Sequence, residues 1–178
     1  SMLYLRRPHV ERLSPHPRMC KEAGMHRIPV RQIMTQAVVT IHPEELVVDA
    51  AQLMDELNLR RLPVVDENNA VVGIVTDSDI LQVEAAGDAI RNSYEPEADE
   101  AWLAVGDIMT REVVTIDIDA SVGELAALLV AHKVGGVPVV AWDDPARPQQ
   151  AHIVGIVTET DIFRMIADAW ADSQRALA

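Results

Sequence analysis

Gly73-Ile-Val-Thr76-Asp-Ser-Asp79 returns later in the chain as Gly155-Ile-Val-Thr158-Glu-Thr-Asp161. Each copy runs an apolar, β-branched stretch into a hydroxyl residue and sets a carboxylate three residues on. That order is expected where a strand hands over directly to a helix. The recurrence extends beyond the motif. Val30-Arg-Gln-Ile-Met-Thr35 returns as Val105-Gly-Asp-Ile-Met-Thr110, Val38–Ile41 as Val113–Ile116, and Pro63–Val65 as Pro138–Val140, all at an offset of 75. Of the 36 positions from 30 to 65, 14 are identical at that offset, which marks a tandem duplication. The motif itself is offset by 82, so seven extra residues lie between Val140 and Val154.

Both units parse alike. Val38–Ile41 reads as a short strand, and His42-Pro43-Glu44-Glu45 as the first turn of a helix, with proline and acids suited to its positive end. Val47, Ala50, Ala51, Leu53, Met54 and Leu57 then recur at helical spacing. Ser121-Val-Gly-Glu124 is the matching start in the second unit, a capping box ahead of Leu125, Leu128 and Leu129. Leu62–Val65 and Val71–Val75 read as strands joined through Asp66-Glu-Asn-Asn-Ala70, with a second helix from Thr76 through Ile80, Leu81 and Val83. The fold class is α+β, β-α-β-β-α twice. One unit of about 55 residues buries only a modest fraction of its surface and is marginal alone, so the two are expected to pack with pseudo-twofold symmetry. The expected organisation is a basic extension over 1–27, repeats over 28–86 and 105–168, a linker over 87–104 and a tail over 169–178.

Of 178 residues, 49% are hydrophobic and 3% aromatic, enough for a core but not for an aromatic platform that stacks bases. The net charge of −13 is split unevenly, at +5 over residues 1–31 and −18 over the rest. That balance argues against a nucleic-acid binder. The basic head reads either as an arm for nucleic acid or an acidic partner, or as a tail lying on its own acidic body. No run approaches a membrane span. Ser1-Met2 reads as a cleavage scar with no signal peptide behind it, and the single Cys20 suits a reducing cytoplasm.

A hydroxyl and a carboxylate at Thr-x-x-Asp spacing cap a helix. The same helix end, with free N–H groups, also welcomes phosphate, and an ionised carboxylate accepts ribose hydroxyls. Both readings stand on spacing alone. With the repeat, the paired Ile-Met-Thr openings, Leu62-Pro63-Val64 and Val137-Pro138-Val139, the chain resembles a tandem pair of CBS domains (a Bateman module) over about residues 28–168. The resemblance implies a regulatory pair without catalysis. Such a pair binds AMP, ADP, ATP or S-adenosylmethionine between its repeats and forms homodimers.

Carried over by residue, the resemblance implies two clefts. Site one takes Thr76 and Asp79, with Val113 and Val134 as the adenine wall and Gly135 and Gly136 facing phosphate. Site two takes Thr158 and Asp161, with Val38 and Leu59 as wall and Arg60 and Arg61 facing phosphate. Arg60 and Arg61 are the only Lys or Arg between residues 32 and 81, so site two is expected to hold an anionic ligand better. A solvated strand edge or a dimer salt bridge is the alternative use of that pair. No Walker A, Gly-x-Gly-x-x-Gly or Gly-x-Ser-x-Gly sequence is present, and no catalytic residues are assigned. His9, His16, Cys20 and His26 match no zinc spacing, so no metal is expected. Met34 and Met109 read as packing residues. The expected function is a cytoplasmic sensor of adenine nucleotides that acts on a separate, unidentified protein, with a ligand-independent dimeric scaffold as the alternative.

Overall fold

The computed structural model describes residues 24–92, 103–142 and 151–176. The first repeat holds helix α1 (Val47–Leu57), strands β1 (Arg61–Val65) and β2 (Val71–Thr76), and helix α2 (Asp77–Asn92). The second opens on a single helical turn, α3 (Val105–Ile108), and continues through β3 (Ile116–Asp117), α4 (Val122–His132), β4 (Gly136–Trp142), β5 (Ala151–Thr158) and α5 (Glu159–Ala176). Residues 169–176, expected as a tail, continue α5. Gly24–Arg27 and Val30–Gln32 are 3-10 turns, and the first lies against α4. The rest of the basic head and residues 93–102 of the linker fall outside the described residues.

Each repeat centres on an antiparallel pair with matching register. Arg61 stands opposite Thr76 and Pro63 opposite Ile74, while Gly136 stands opposite Thr158 and Pro138 opposite Ile156. Both pairs slip at the same place, between Val64 and Val65 and between Val139 and Val140. β3 adds a parallel edge to β4. In the first repeat the matching stretch, expected as a strand over Val38–Ile41, makes only a single bridge, from Ile41 to Val64. The reason lies one step on. Ile118 N–H donates to Val140 O at 3.0 Å, but the matching residue in the first repeat is Pro43, which has no N–H to extend the ladder.

Pro43 also stands outside the helix, which starts at Val47 with Leu46 at its cap. Glu45 closes a turn by accepting His42 N–H at 2.7 Å. The carbonyls of Pro43 and Glu45 accept Gly106 and Val105 N–H, each at 2.8 Å. The four residues expected as a first helical turn therefore form a cradle for the second repeat's opening. The second-repeat helix keeps its capping box: Ser121 Oγ accepts Glu124 N–H at 3.2 Å, and Glu124 Oε2 accepts Ser121 N–H at 2.8 Å.

The openings are exchanged between repeats. Val30 N–H donates to Ala120 O at 2.7 Å, and Thr35 and Ile156 exchange backbone bonds of 2.9 and 3.0 Å. Arg31 pairs with Asp119. In return, Val47 N–H donates to Leu103 O at 2.9 Å, and Thr110 and Ile74 exchange bonds of 2.9 and 3.0 Å. Val105 and Met109 complete the core of Ile41, Val47, Ala50, Met54, Leu62, Val64, Val75 and Ile80. Val30 joins Ile116, Leu125, Leu129, Val137, Val139 and Val157, with Ile33 and Met34 packed against them. The two methionines do pack, each into the opposite repeat. A Cβ on Gly73 would collide with Met109 Sδ, and one on Gly155 would meet Met34 Sδ at 2.6 Å, so the motif glycines are the spaces that admit them.

Candidate functional site

The two motifs sit at strand-to-helix junctions related by the pseudo-twofold axis. Thr76 ends β2 and Thr158 ends β5, and α2 and α5 begin at the next residue. Asp79 Oδ2 accepts Thr76 N–H at 2.8 Å and Thr76 Oγ1–H at 2.7 Å. Asp161 Oδ2 accepts the same pair from Thr158 at 2.8 and 2.7 Å. Capping is therefore formed at both junctions. It occupies one oxygen of each carboxylate, and a carboxylate has about four lone-pair sites, so ligand acceptance stays open. Asp161 Oδ1 accepts Arg164 at 3.2 Å, a partner that the first repeat replaces with Gln82.

The helix ends differ. At α2, the amides of Asp77, Ser78 and Asp79 donate to Arg60 O (3.1 Å), Asp77 Oδ1 (2.8 Å) and Thr76 Oγ1 (3.3 Å). At α5, Glu159 N–H donates to Gly135 O at 3.0 Å, while the amides of Thr160 and Asp161 have no such acceptor among the described residues. The second junction is the one with donors to spare.

Arg61 and Thr158, assigned to one cleft from different repeats, come together. Arg61 Nη1 donates to Gly136 O at 3.0 Å. A Cβ on Gly136 would stand 3.1 Å from that nitrogen and 2.7 Å from Thr158 Cγ2. Burial pushes the Arg61 guanidinium below its usual value, and the carboxylates of Glu159 and Asp77 oppose the shift. It stays charged, as arginine does in proteins. Arg60 is exposed, with its carbonyl on the α2 cap.

The wall residues are more dispersed. Leu59 and Val134 pack against the cores of their own repeats, and Val113 is half-buried. Val38 lines a groove of about 590 Å³ with Met34, Thr40, Asn69, Ile118 and Ile153, at the opposite end of β5 from Thr158. Asp161 lines another groove, of about 350 Å³, in which Ile28, Ile33 and Met165 supply the apolar side chains. Neither Ile28 nor Ile33 is given a site role by the sequence, although Ile33 belongs to the repeated opening Val30–Thr35 and Ile28 lies two residues ahead of it. Gly135 and Gly136 do not form an open phosphate floor, because the Arg61 guanidinium lies over them. His9, His16 and Cys20 lie outside the described residues.

A family profile described as the CBS domain matches residues 30–86 and 105–168. The chain belongs to the CBS-domain family. Protein MJ1404 of Methanocaldococcus jannaschii is 32% identical to this CBS pair over an alignment of 162 residues that covers 85% of this chain and 35% of the relative, so the chain spans about a third of that protein. The CBS-domain pair of protein MJ0100, solved with 5′-methylthioadenosine and S-adenosyl-L-methionine, is similar with a TM-score of 0.63 and 30% identity, over 79% of this chain and 97% of that one. CBSX2 in complex with AMP is similar with a TM-score of 0.63 and 27% identity, over 80% and 98%. No helix among the described residues is long and apolar enough to cross a membrane.

Proposed function

We propose that this CBS pair is a non-catalytic, cytoplasmic sensor of AMP, ADP, ATP or a related adenosine compound that passes its state to a separate protein. The observation that carries the reading is the pair of Thr-Asp junctions around Arg61, with spare α5 amides on one side. The ligand would set its ribose on Asp161 and its phosphate near Thr158, Arg61 and Arg60, with Leu59 as apolar wall, while Val38 lines the separate groove beside Ile153. Thr76, Asp79, Val113, Val134, Gly135 and Gly136 would form the weaker cleft. The adenosine complexes of MJ0100 and CBSX2 support this class of ligand. Because each opening segment crosses to the other repeat, a ligand held at a junction biases the relative arrangement of both. It does so by no more than its difference in affinity for the two states.

A thermal-shift panel of AMP, ADP, ATP and S-adenosylmethionine tests the reading. Ligand at about 100 times its Kd adds roughly 2.7 kcal/mol, a rise of several degrees in Tm. The rise should vanish in Asp161→Ala and largely persist in Asp79→Ala. No rise with any of the four ligands in wild type would favour the second reading, a dimeric scaffold. That reading draws support from α5, which leaves Phe163 65% and Trp170 66% exposed. Exposed apolar residues on one helix suit a homodimer contact.

A further inference from the structure

Positions 61 and 136 are equivalent in the two repeats, and the bond from Arg61 Nη1 to Gly136 O shows that they meet where the repeats face each other. Two arginines would collide there. This chain has one arginine and, opposite it, a glycine pair. Gly136 has no room even for a methyl group, and a Cβ on Gly135 would stand 3.2 Å from Arg61 Nη2 and 3.4 Å from Glu159 Oε1. The guanidinium is thereby laid across the start of β4. Arg61 stands opposite Thr76 on its own sheet, and Gly136, beneath the guanidinium, stands opposite Thr158 on the other. One cation therefore lies between the two sheet ends that carry the motif threonines, and the carboxylates of Asp77 and Glu159, the first residues of α2 and α5, both act on it.

We infer that Arg61 is a phosphate-binding cation shared by the two clefts, so that the chain holds one phosphate-bearing adenosine ligand at a time and its other cleft takes a phosphate-free adenosine compound. The inference rests on the nucleotide-sensing reading and adds a rule of occupancy to it. Arginine has five N–H donors, and one is spent on Gly136 O. The first phosphate takes a bidentate pair of the four that remain and neutralises the single positive charge. A second phosphate meets Asp77 or Glu159 without compensation, because the exposed Arg60 is screened by solvent. The spare amides of α5 assign the phosphate to the Thr158 side. The Thr76 side has its first-turn amides engaged and a carboxylate at Asp77, which suits an uncharged thioether or a cationic sulfonium in place of phosphate.

Calorimetric titration of the full chain tests this with AMP and 5′-methylthioadenosine. AMP should saturate at one per chain, and 5′-methylthioadenosine should then add one more without displacing it. Arg61→Gln should weaken AMP at least tenfold and 5′-methylthioadenosine less than threefold, the second ligand also reporting that the variant is folded. Two AMP per chain with similar affinity, a measurement that needs no variant, would overturn the sharing and leave nucleotide sensing intact. Equal weakening of both ligands in folded Arg61→Gln would overturn it too. Failure of both ligands to bind wild type would remove the sensing reading and the shared cation together.

Discussion

The two repeats share a backbone plan and differ at the places that decide chemistry. The first carries Arg60-Arg61 at the start of its sheet and the second carries Gly135-Gly136. The first starts its helix on Leu46 without a side-chain cap, and the second on the Ser121–Glu124 box. Among the described residues, the first engages the amides of Asp77, Ser78 and Asp79 at its motif helix, and the second has no acceptor for those of Thr160 and Asp161. Duplication alone would produce two equal halves. The differences show that a residue near a pseudo-twofold axis must be chosen jointly with its counterpart, because both compete for the same space.

The exchanged openings offer the sharpest way to break the equivalence. Met109 is buried in the first core, whereas Met34 is half-buried against the second. Met109→Ala should cost about 2–4 kcal/mol in urea unfolding and Met34→Ala measurably less, in line with large-to-small core substitutions. Equal costs would mean the two halves are energetically alike. The glycine pair comes next. Gly136→Ala puts a methyl group 3.0 Å from Val157 O, a backbone atom that cannot step aside, so about 1–3 kcal/mol should be lost. Gly135→Ala meets chiefly the movable end of Arg61 and should cost less than about 1 kcal/mol.

The capping contrast should give a smaller effect. Ser121→Ala should destabilise by about 1 kcal/mol at neutral pH. The Ser121 N–H and hydroxyl hold the Glu124 carboxyl below its usual range. A carboxylate with a lowered folded pKa contributes stability above its unfolded value and loses it as pH falls through the folded one. The gap between wild type and Ser121→Ala should therefore narrow in melts taken below the usual carboxylate range. The smallest effect concerns the ends of α1 and α4, where Asn58 and Lys133 are left-handed at φ 52° and 55°. Asparagine adopts that conformation at less cost than lysine. Lys133→Gly should raise stability by about 0.5 kcal/mol, and Asn58→Gly by less.

Strand pairs, helices and the Thr-Asp caps were legible because they depend on residues a few positions apart. The jump in offset from 75 to 82 placed the insertion correctly, in the connection from Trp142 to Ala151. The exchange of openings was not legible. Thr35 pairs with Ile156 and not with Ile74, yet both repeats carry the same Ile-Met-Thr opening and the same Gly-Ile-Val strand. Nothing local separates own from other. Pro43 misled for a related reason, since proline suits a turn as well as a helix start. At the site, Arg60-Arg61 against Gly135-Gly136 was visible as a charge difference. That one guanidinium lies over both glycines depends on where the axis falls, which spacing does not encode.

The crossed openings also set a timetable for synthesis. The first repeat's core lacks Val105 and Met109 until the ribosome has passed residue 109 and that stretch has left the exit tunnel. At about 5–20 residues per second, the nascent first half waits several seconds with its apolar face uncovered. The second core, in contrast, has Val30 in hand from the start. Although made last, the second half can close as soon as it emerges, and the N-terminal half depends on chain that follows it.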